Sequence, residues 1–315
     1  MKTSAEKAHE AIVQVNRVIL GKQREVLEIM TAFLAGGHIL LEDIPGVGKT
    51  TLALAFSKAM GLECKRVQFT PDVMPSDLTG FSVYHKEEGK FVYQPGSVFC
   101  NLLLADEINR TSPKTQSALL EVMEERKVSV EGTTRDVPKP FLVIATQNPF
   151  GSSGTQRLPE AQIDRFMIML SMGYPDFESE LLMAKSVDEN SRVEAVSRVL
   201  DRKTLIEMQA SIYDVFIKDE IYRYILSLVV ATRSHRYIEY GASPRATIAL
   251  VKMSKSSAWL SGRNFVTPAD VRHQFSYIIP HRIVLNSSAK MSGIKKNQVI
   301  SDIVQSITAP PMGDF

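Results

Sequence analysis

Residues 46–51 read Gly-Val-Gly-Lys-Thr-Thr, a composition that suits a phosphate-binding turn. An apolar run at 38–41 precedes the turn and a helix-like stretch at 52–60 follows it, so the turn would join a strand to a helix. Glycines let backbone N–H groups converge on a phosphate, and the helix N-terminus adds positive potential. Lys49 can then reach the β- and γ-phosphates while the Thr50 hydroxyl ligates Mg²⁺. This pattern predicts a nucleotide-phosphate site.

Two acids, Asp106 and Glu107, follow the apolar run 102–105, with Asp106 57 positions after Lys49. A strand beside the phosphate loop would bring Asp106 to the Mg²⁺ and Glu107 to a water in line with the γ-phosphate. Mg²⁺ takes few carboxylates together with phosphates and waters, so Glu107 remains available to orient or deprotonate that water. A solvated strand end is the alternative, and the upstream phosphate loop favours the functional interpretation.

Asn148 follows a third apolar run at 142–146. Asn148-Pro149 is also a frequent turn pair, which is the structural alternative. Ligands of open α/β sheets bind at the carboxyl ends of the strands. We therefore expect Asn148 to lie between the two earlier strand tips and to help hold the attacking water.

Two arginines complete the set of candidate residues. Arg165 has an ordinary alternative role, a surface ion pair with Asp164 or Glu160. Arg245 stands in the first turn of a helix that begins at Pro244, where a cation opposes the helix dipole at a cost of a few tenths to about 1 kcal/mol. An anion nearby would offset that cost, and a nucleotide phosphate is the obvious candidate.

Alternating apolar runs and helical patterns from 38 to 170 predict βαβ units, and hence a parallel sheet covered by helices on both faces. Residues 1–37 have helical patterns, interrupted at 19–21. Hairpins are expected near 77–95, which is rich in glycine and aromatic residues, and near 127–138. The predicted strands are 38–42, 65–69, 101–105, 141–146 and 167–170.

The pattern changes near residue 175, and helical periodicity dominates the rest of the chain. Two of the helices have clear starts, because Ser243-Pro244 and Thr267-Pro268 pair an N-cap hydroxyl with proline at the first helical position. We expect a core at 1–175 and an all-helical domain at 176–315, with a partly mobile tail after Asn286. The predicted helices are 181–187, 203–212, 220–233, 244–261 and 268–275.

Composition sets the expected class and location of the protein. The 315 residues are long enough for two domains, and a formal charge of +2 predicts no partner by itself. Cys64 and Cys100 give neither a disulfide framework nor metal-ligand spacing, so a reducing cytosol fits best. The polar segment 1–10 lacks a signal-peptide core, and no apolar run approaches the ~20 residues of a membrane helix. We expect a cytoplasmic protein without membrane insertion.

Six segments of the chain resemble the AAA+ ATPases, and more narrowly their MoxR branch: 37–50, 68–72, 103–110, 145–149, 158–166 and 241–246. The resemblance extends over essentially the whole chain. Related MoxR-like sequences often carry an acid where Asp43 replaces the first glycine of the strict phosphate-loop motif. The resemblance implies an α/β class P-loop core, with a parallel sheet flanked by helices, and a C-terminal all-helical lid.

The resemblance also implies a role for each candidate residue. It implies an ATPase that hydrolyses the β–γ bond, with ATP and Mg²⁺ as cofactors and the nucleotide between core and lid. Strict preference for ATP over GTP stays open. The nucleotide-binding residues would be Gly46, Val47, Gly48, Lys49, Thr50 and Thr51, with Ile19, Leu20 and Gly21 on the base side. Metal ligands would be Thr50 and Asp106, and catalytic residues Glu107, Asn148 (sensor 1), Arg165 (finger) and Arg245 (sensor 2).

Assembly and partners follow from the same resemblance. An arginine finger supplied to a neighbouring subunit implies a ring, expected to be a hexamer, while Arg245 is left open between action in its own subunit and in the next one. The 77–95 segment resembles the helix-2 insert and 127–138 the pre-sensor-1 hairpin. The family suggests a chaperone-like remodeller of protein complexes, partnered with proteins that contain a von Willebrand factor A domain.

The alternative is a nucleic-acid motor, since both hairpins also resemble those of replicative helicases. Residues 231–296 hold eleven Lys/Arg and only Glu239 and Asp270 as acids, a basic stripe that could meet phosphates. A solvated face, or one packed on an acidic neighbour in the ring, explains the stripe equally simply. Nucleic acid is not the expected partner, because 127–138 has Arg135 but no aromatic residue. A scaffold that never hydrolyses nucleotide is disfavoured by Glu107.

Overall fold

The architecture is given by a computed structural model, which describes residues 3–43, 46–87, 89–148, 158–185 and 189–311. The strands are β1 (Ile39–Glu42), β2 (Cys64–Gln68), β3 (Phe81–His85), β4 (Lys90–Gln94), β5 (Leu102–Asp106), β6 (Lys127–Val130), β7 (Thr133–Asp136), β8 (Leu142–Gln147), β9 (Ile168–Leu170), β10 (Ile238–Tyr240) and β11 (Val284–Leu285). The helices are α1 (Ser4–Asn16), α2 (Gln23–Leu34), α3 (Lys49–Met60), α4 (Pro75–Thr79), α5 (Pro113–Glu125), α6 (Glu160–Ile163), α7 (Phe177–Lys185), α8 (Glu189–Glu194), α9 (Arg202–Tyr213), α10 (Asp219–Ser234), α11 (Pro244–Leu260), α12 (Pro268–Ile278), α13 (Ser287–Met291) and α14 (Lys296–Ser306).

The central sheet has five parallel strands in the order β2-β5-β8-β1-β9. Every residue of β5 and β8 is buried, because both faces of these strands are covered. Leu102 and Leu104 join one hydrophobic cluster, while Leu103 and Ala105 join the other. Two-sided burial explains why these strands are apolar at successive positions instead of alternating with polar residues.

Two antiparallel hairpins project from this scaffold. The β3–β4 hairpin pairs Phe81 with Gln94 and follows the short helix α4, and β6–β7 forms the second hairpin. Ser82 Oγ donates to Glu131 Oε2 at 2.5 Å, and the Arg135 guanidinium lies 3.8 Å from the centroid of the Tyr93 ring. The two hairpins therefore contact each other as one unit.

The segment from α9 to α14 is mostly helical, with one small addition. Strands β10 and β11 form a short antiparallel ladder. The expectation of a mobile tail after Asn286 was wrong for α13 and α14, because Val299, Ile300 and Ile303 form a buried stripe on α14. This stripe packs where α14 meets α10 and α12. Residues 312–315 lie outside the described range.

The N-terminal helices share their core with the C-terminal half of the chain. Ser256 Oγ donates to the carbonyl of Thr31 at 2.8 Å, and Gln209 Nε2 donates to that of Phe33 at 2.7 Å. The 2% exposed Glu28 accepts from His273 at 2.7 Å and from Gln274. The hydrophobic core on this side of the sheet consequently runs without a break from α1 to α14. Among the described residues, no helix is both long and apolar enough to cross a membrane.

Candidate functional site

The phosphate loop lies between β1 and α3, as the sequence predicts. Gly46 and Gly48 have φ values of +87° and +79°, and nothing lies within 4 Å of where a Cβ would stand on either. Backbone conformation, and not lack of space, therefore selects glycine at both positions. Helix α3 begins at Lys49, so its free N–H groups face the loop, and the Lys49 Nζ donates to the carbonyl of Asp43 at 3.1 Å.

Asp43 has a structural task that explains its departure from the strict motif. Its buried carboxylate accepts from the backbone N–H of Met172 at 2.6 Å and of Gly173 at 2.9 Å, and from the Ser171 hydroxyl at 2.8 Å. These contacts tie the start of the loop to the segment that follows β9. A glycine at this position would leave those donors without their acceptor.

The two acids at the end of β5 are fixed by a residue that the sequence analysis missed. The fully buried Thr146 of β8 donates its hydroxyl to Asp106 Oδ1 at 2.6 Å and accepts the backbone N–H of Glu107 at 2.9 Å. Glu107 has a φ of +57°, a backbone conformation that costs a non-glycine residue of order 1–3 kcal/mol. This left-handed residue stands where β5 ends and the next turn begins.

Three further polar residues, also missed, hold the two carboxylates. Arg66 on β2 pairs with Asp106 Oδ2 at 2.7 Å. Gln68, two positions along the same strand, donates to Glu107 Oε2 at 3.0 Å, and Arg110 pairs with that oxygen at 2.7 Å. Arg66 and Gln68 share one side of β2 because strand side chains alternate, a period-two signal that the sequence does contain.

A cavity of about 360 Å³ brings these groups together at the carboxyl end of the sheet. Two of its oxygen groups suit Mg²⁺: the Asp106 carboxylate and the Thr50 hydroxyl are hard ligands that leave room for phosphates and waters. No cluster of three or more His, Cys, Asp or Glu side chains that could cage a metal occurs in the described part of the chain. The lining residues are Gly46, Gly48, Lys49, Thr50, Thr51, Arg66, Gln68, Asp106 and Glu107.

A second cavity, of about 520 Å³, adjoins the loop on its other side. It is lined mainly by apolar groups, including Ile19, Leu20, Val47 and Met172. Gly21 does not line it: with a φ of +72°, its added Cβ would come within 2.6 Å of the Ser179 hydroxyl on α7. Ile19 and Leu20 therefore line this cavity, whereas Gly21, expected with them on the base side, instead allows α7 to approach.

Asn148 follows β8 directly and is half-buried. The sheet order puts β8 between β5, which carries the acids, and β1, which leads into the phosphate loop. The carbonyl of Asn148 accepts a hydrogen bond from Asn109 Nδ2 at 3.5 Å. The expected location between the two other strand tips is the one observed, while Pro149 lies outside the described residues.

Arg165 and Arg245 share one acidic partner away from the phosphate loop. Both pair with Glu124 on α5: Arg165 at 2.7 Å and Arg245 at 2.5 Å. They line a separate cavity of about 260 Å³ that shares no described lining residue with the phosphate-loop cavity. Glu124 also supplies the anion that offsets the unfavourable position of Arg245 at the start of α11, a place for which a phosphate was expected.

The alternative considered for Arg165, an ion pair with Asp164, is not the one observed, because both oxygens of Asp164 bind other residues. Asp164 Oδ1 accepts from Arg282 Nε at 2.8 Å, and Oδ2 accepts from the Ser243 hydroxyl at 2.8 Å. Arg282 is almost fully buried, and burial lowers its pKa to about 10. The guanidinium also donates to the carbonyls of Phe166 and Met167, which satisfies a buried charge.

Histidine 38 lies in the wall of the arginine cavity. Burial, with a smaller contribution from the nearby Arg126, lowers the His38 pKa to about 3. Its Nε2 lies 3.0 Å from the carbonyl of Met123, as fits a donated hydrogen bond from a neutral ring. His38 therefore adds no charge to this face near neutral pH.

Several cations of the basic stripe inferred for 231–296 make contacts within the fold. Arg263 forms a two-bond pair with Asp270, at 2.6 and 2.8 Å. Arg233 donates to the carbonyl of Ala242, and Lys296 to that of Pro280. Arg282 is buried and Arg245 pairs with Glu124, so these five cations of the stripe each have a partner within the fold.

Comparisons with known proteins agree with this geometry. A family model described as the ATPase family associated with various cellular activities (AAA) matches residues 38–168, and an AAA lid domain model matches 230–303. The protein named Chaperone MoxR1 from Mycobacterium tuberculosis (strain ATCC 25618 / H37Rv) is 37% identical over 311 residues, covering 95% of this chain and 81% of the relative. The chain belongs to the MoxR family of AAA+ ATPases.

Two further similar proteins match this chain over nearly its full length. An uncharacterised Bacillus subtilis (strain 168) protein, YeaC, is 44% identical over 301 residues, covering 96% of this chain and 94% of the relative. A crystal structure from Cytophaga hutchinsonii, described as a presumed ATPase, superposes with a TM-score of 0.90 at 39% identity, covering 98% of this chain and 96% of the other. The predicted fold class, a parallel AAA+ sheet flanked by helices with a helical lid, is confirmed.

Proposed function

We propose that this MoxR-family protein hydrolyses ATP in an assembly whose active sites lie between subunits. The observation that carries the proposal is the convergence of Lys49, Thr50, Asp106 and Glu107 on one cavity at the carboxyl end of the sheet. These groups are the parts that phosphoryl transfer requires: a phosphate cradle, metal ligands and a water-activating acid.

Each residue of the cavity has a defined task in this reaction. Lys49 and the N-terminus of α3 would bind the β- and γ-phosphates. Thr50 and Asp106 would hold Mg²⁺, which would neutralise phosphate charge when bound. Glu107 accepts a proton from the attacking water, and Asn148 orients that water.

The contacts of Glu107 suggest how its orientation is set before the nucleotide arrives. Gln68 and Arg110 bind the same carboxylate oxygen, at 3.0 and 2.7 Å. We infer that these two residues hold the carboxylate ready, and that turnover depends on their positions.

The remaining charge stabilisation is proposed to come from a second copy of the chain. Arg165 and Arg245 lie on a face separate from the phosphate loop of their own subunit. Anionic charge that develops on the γ-phosphate needs a cation close to it. In a closed ring, proposed to be a hexamer, every phosphate loop would face the arginine pair of the next subunit.

We propose that ATP hydrolysis is coupled to remodelling or maturation of client protein complexes in the cytoplasm, with a von Willebrand factor A domain protein as partner. One relative carries the name chaperone. The paired hairpins expose large apolar side chains, with Phe91 71%, Tyr84 51% and Phe81 49% exposed. A surface of this kind is suited to contact with a client polypeptide.

A phosphate-release assay tests the enzymatic part of the proposal. ATP turnover that requires Mg²⁺ and is lost in Glu107→Gln would support it, and absence of turnover at any protein concentration would refute it. A pull-down with Glu107→Gln, which should retain nucleotide and clients, tests the chaperone part. The nucleic-acid motor is not favoured, because a relative that covers nearly the whole chain carries the name chaperone and because Arg135 lies over the Tyr93 ring.

A further inference from the structure

One carboxylate joins the two arginines of the intersubunit face. Glu124 Oε2 accepts from Arg165 and Oε1 accepts from Arg245, so each oxygen serves one guanidinium. Arg165 also donates to the carbonyl of Leu120, one helical turn before Glu124 on the same face of α5. The side chains of Glu124, Arg165 and Arg245 are partly exposed, at 41%, 32% and 45%. The trio is therefore open to a neighbouring molecule.

The two arginines come from separate elements that are joined a second time beneath the surface. Arg165 follows Asp164, and Arg245 lies two residues after Ser243, the N-cap of α11. The Asp164 carboxylate accepts from Ser243, and the buried Arg282 binds its other oxygen. The backbones that carry the arginines are thus fixed relative to each other, and only the long side chains remain to be directed.

An anion between Arg165 and Arg245 is needed to hold both guanidinium groups side by side in one conformation. Two guanidinium groups repel each other, and both carry large rotamer freedom. A carboxylate with one oxygen for each group compensates the repulsion and selects one rotamer of each side chain. The trio keeps a net charge of +1, so it still attracts a phosphate.

We propose that Glu124 is a positioning residue that sets Arg165 and Arg245 side by side as one unit for the γ-phosphate bound by the next subunit. The inference rests on the proposed function, since it presupposes that the arginines act across the subunit boundary. Glu124 touches neither nucleotide nor metal in this arrangement and acts through the two arginines.

The first test is steady-state kinetics of Glu124→Gln with Glu125→Gln as the matched control. Glu125 is the next residue of α5 and is exposed, and neither arginine is paired with it among the described ion pairs. Misplacement of catalytic groups by about 1 Å can cost ~10²-fold. We expect kcat to fall by about 10-fold or more in Glu124→Gln, with unchanged ATP affinity and melting temperature, and wild-type kcat in Glu125→Gln. A kcat within about twofold of wild type, or an increase, would overturn the proposal.

The second test locates the defect by mixing subunits. Glu124→Gln has an intact phosphate loop, and Lys49→Ala has an intact Glu124 with its two arginines. Their mixture should regain activity if Glu124 serves the neighbouring subunit. A mixture of Glu124→Gln with Arg165→Ala should regain none, because both lesions lie on the same face. Rescue of that second mixture would contradict the proposal.

A reference mixture separates this inference from the proposed function. Arg165→Ala mixed with Lys49→Ala should regain activity if the arginines act between subunits, and it also shows that subunits exchange. Full activity of Arg165→Ala would refute the intersubunit active site itself. Rescue of the reference mixture without rescue of Glu124→Gln would refute only the positioning role of Glu124.

Discussion

Thr146 donates a 2.6 Å hydrogen bond to Asp106 from near the carboxyl end of the neighbouring strand. The same hydroxyl accepts the backbone N–H of Glu107, so one side chain of β8 fixes both acids at the end of β5. Asp106 and Glu107, the proposed metal ligand and the proposed water-activating acid, are thereby held relative to each other. A residue of the sheet interior, with no accessible surface, supports the proposed chemistry.

Replacement of Thr146 by valine should impair both stability and turnover. Valine keeps the shape but leaves the buried partners of the hydroxyl unpaired, at a cost of about 1–3 kcal/mol of unfolding free energy. We expect lower kcat and weaker Mg²⁺ dependence in the folded fraction. Thr115→Val, at another fully buried threonine that donates to the carbonyl of Val73, should lose stability alone. Equal kcat in both variants would contradict the role of Thr146.

Lys49→Ala should abolish ATP binding or weaken it strongly. The substitution removes the cation that faces the β- and γ-phosphates, while α3 itself is retained. Isothermal titration calorimetry measures the affinity directly. Lys58→Ala, on the same helix but bonded to the carbonyl of Val193, should bind ATP as the wild type does. Unchanged affinity in Lys49→Ala would exclude the phosphate-loop assignment.

Glu107→Gln should retain ATP while turnover falls by ~10²-fold or more. The amide preserves shape and hydrogen bonding but cannot take a proton from the attacking water. Nucleotide binding and phosphate release should be measured on the same preparation. Near wild-type turnover would show that another group activates the water.

Arg165→Ala should bind ATP normally and hydrolyse it about 10³-fold more slowly. That loss is typical of a missing arginine finger, whereas a partly exposed ion pair contributes at most ~1 kcal/mol to stability. Phosphate release and thermal unfolding together distinguish the two roles. Arg202→Ala, at an exposed arginine that begins α9, provides the matched control. A stability change without a loss of activity would support the local ion pair.

The His273–Glu28 contact should make the packing of α12 on α2 sensitive to pH. The hydrogen bond to Glu28 raises the His273 pKa above its ordinary 6.5. The protonated form is favoured in the folded protein, so this stabilisation is fully present below about pH 6.5 and is lost as the pH rises through the raised folded-state pKa. Chemical denaturation of the wild type and His273→Gln should differ more at about pH 5.5 than at about pH 8.5. The reverse order would contradict this assignment.

A separate effect acts on both proteins and cancels in that comparison. His38 and His281 are buried, and burial lowers the pKa of each ring, to about 3 for His38. The unfolded chain binds these protons more readily, so both residues make the fold less stable as the pH falls below about 6.5.

Local order in the sequence determined the phosphate loop, the acids at the end of β5 and the parallel sheet. Strand, glycine turn and helix follow one another within a few residues, and strand and helix periods depend on neighbouring positions alone. Asn148 follows the third apolar run, and it lies between the two other strand tips because β8 lies between β5 and β1. These features depend on contacts that the chain forms near its own sequence or along a regular sheet.

Only the tertiary structure decided the partners of residues distant in sequence. Glu124 meets Arg245 across 121 positions, Asp43 meets the segment after β9 across more than 125, and Thr146 reaches Asp106 across 40. The amphipathic helix α14 packs its apolar side against α10 and α12, a contact that its own sequence does not predict. The sequence shows which charged and polar groups need a partner. The packing of the elements selects that partner, because many carboxylates and cations could satisfy the same group.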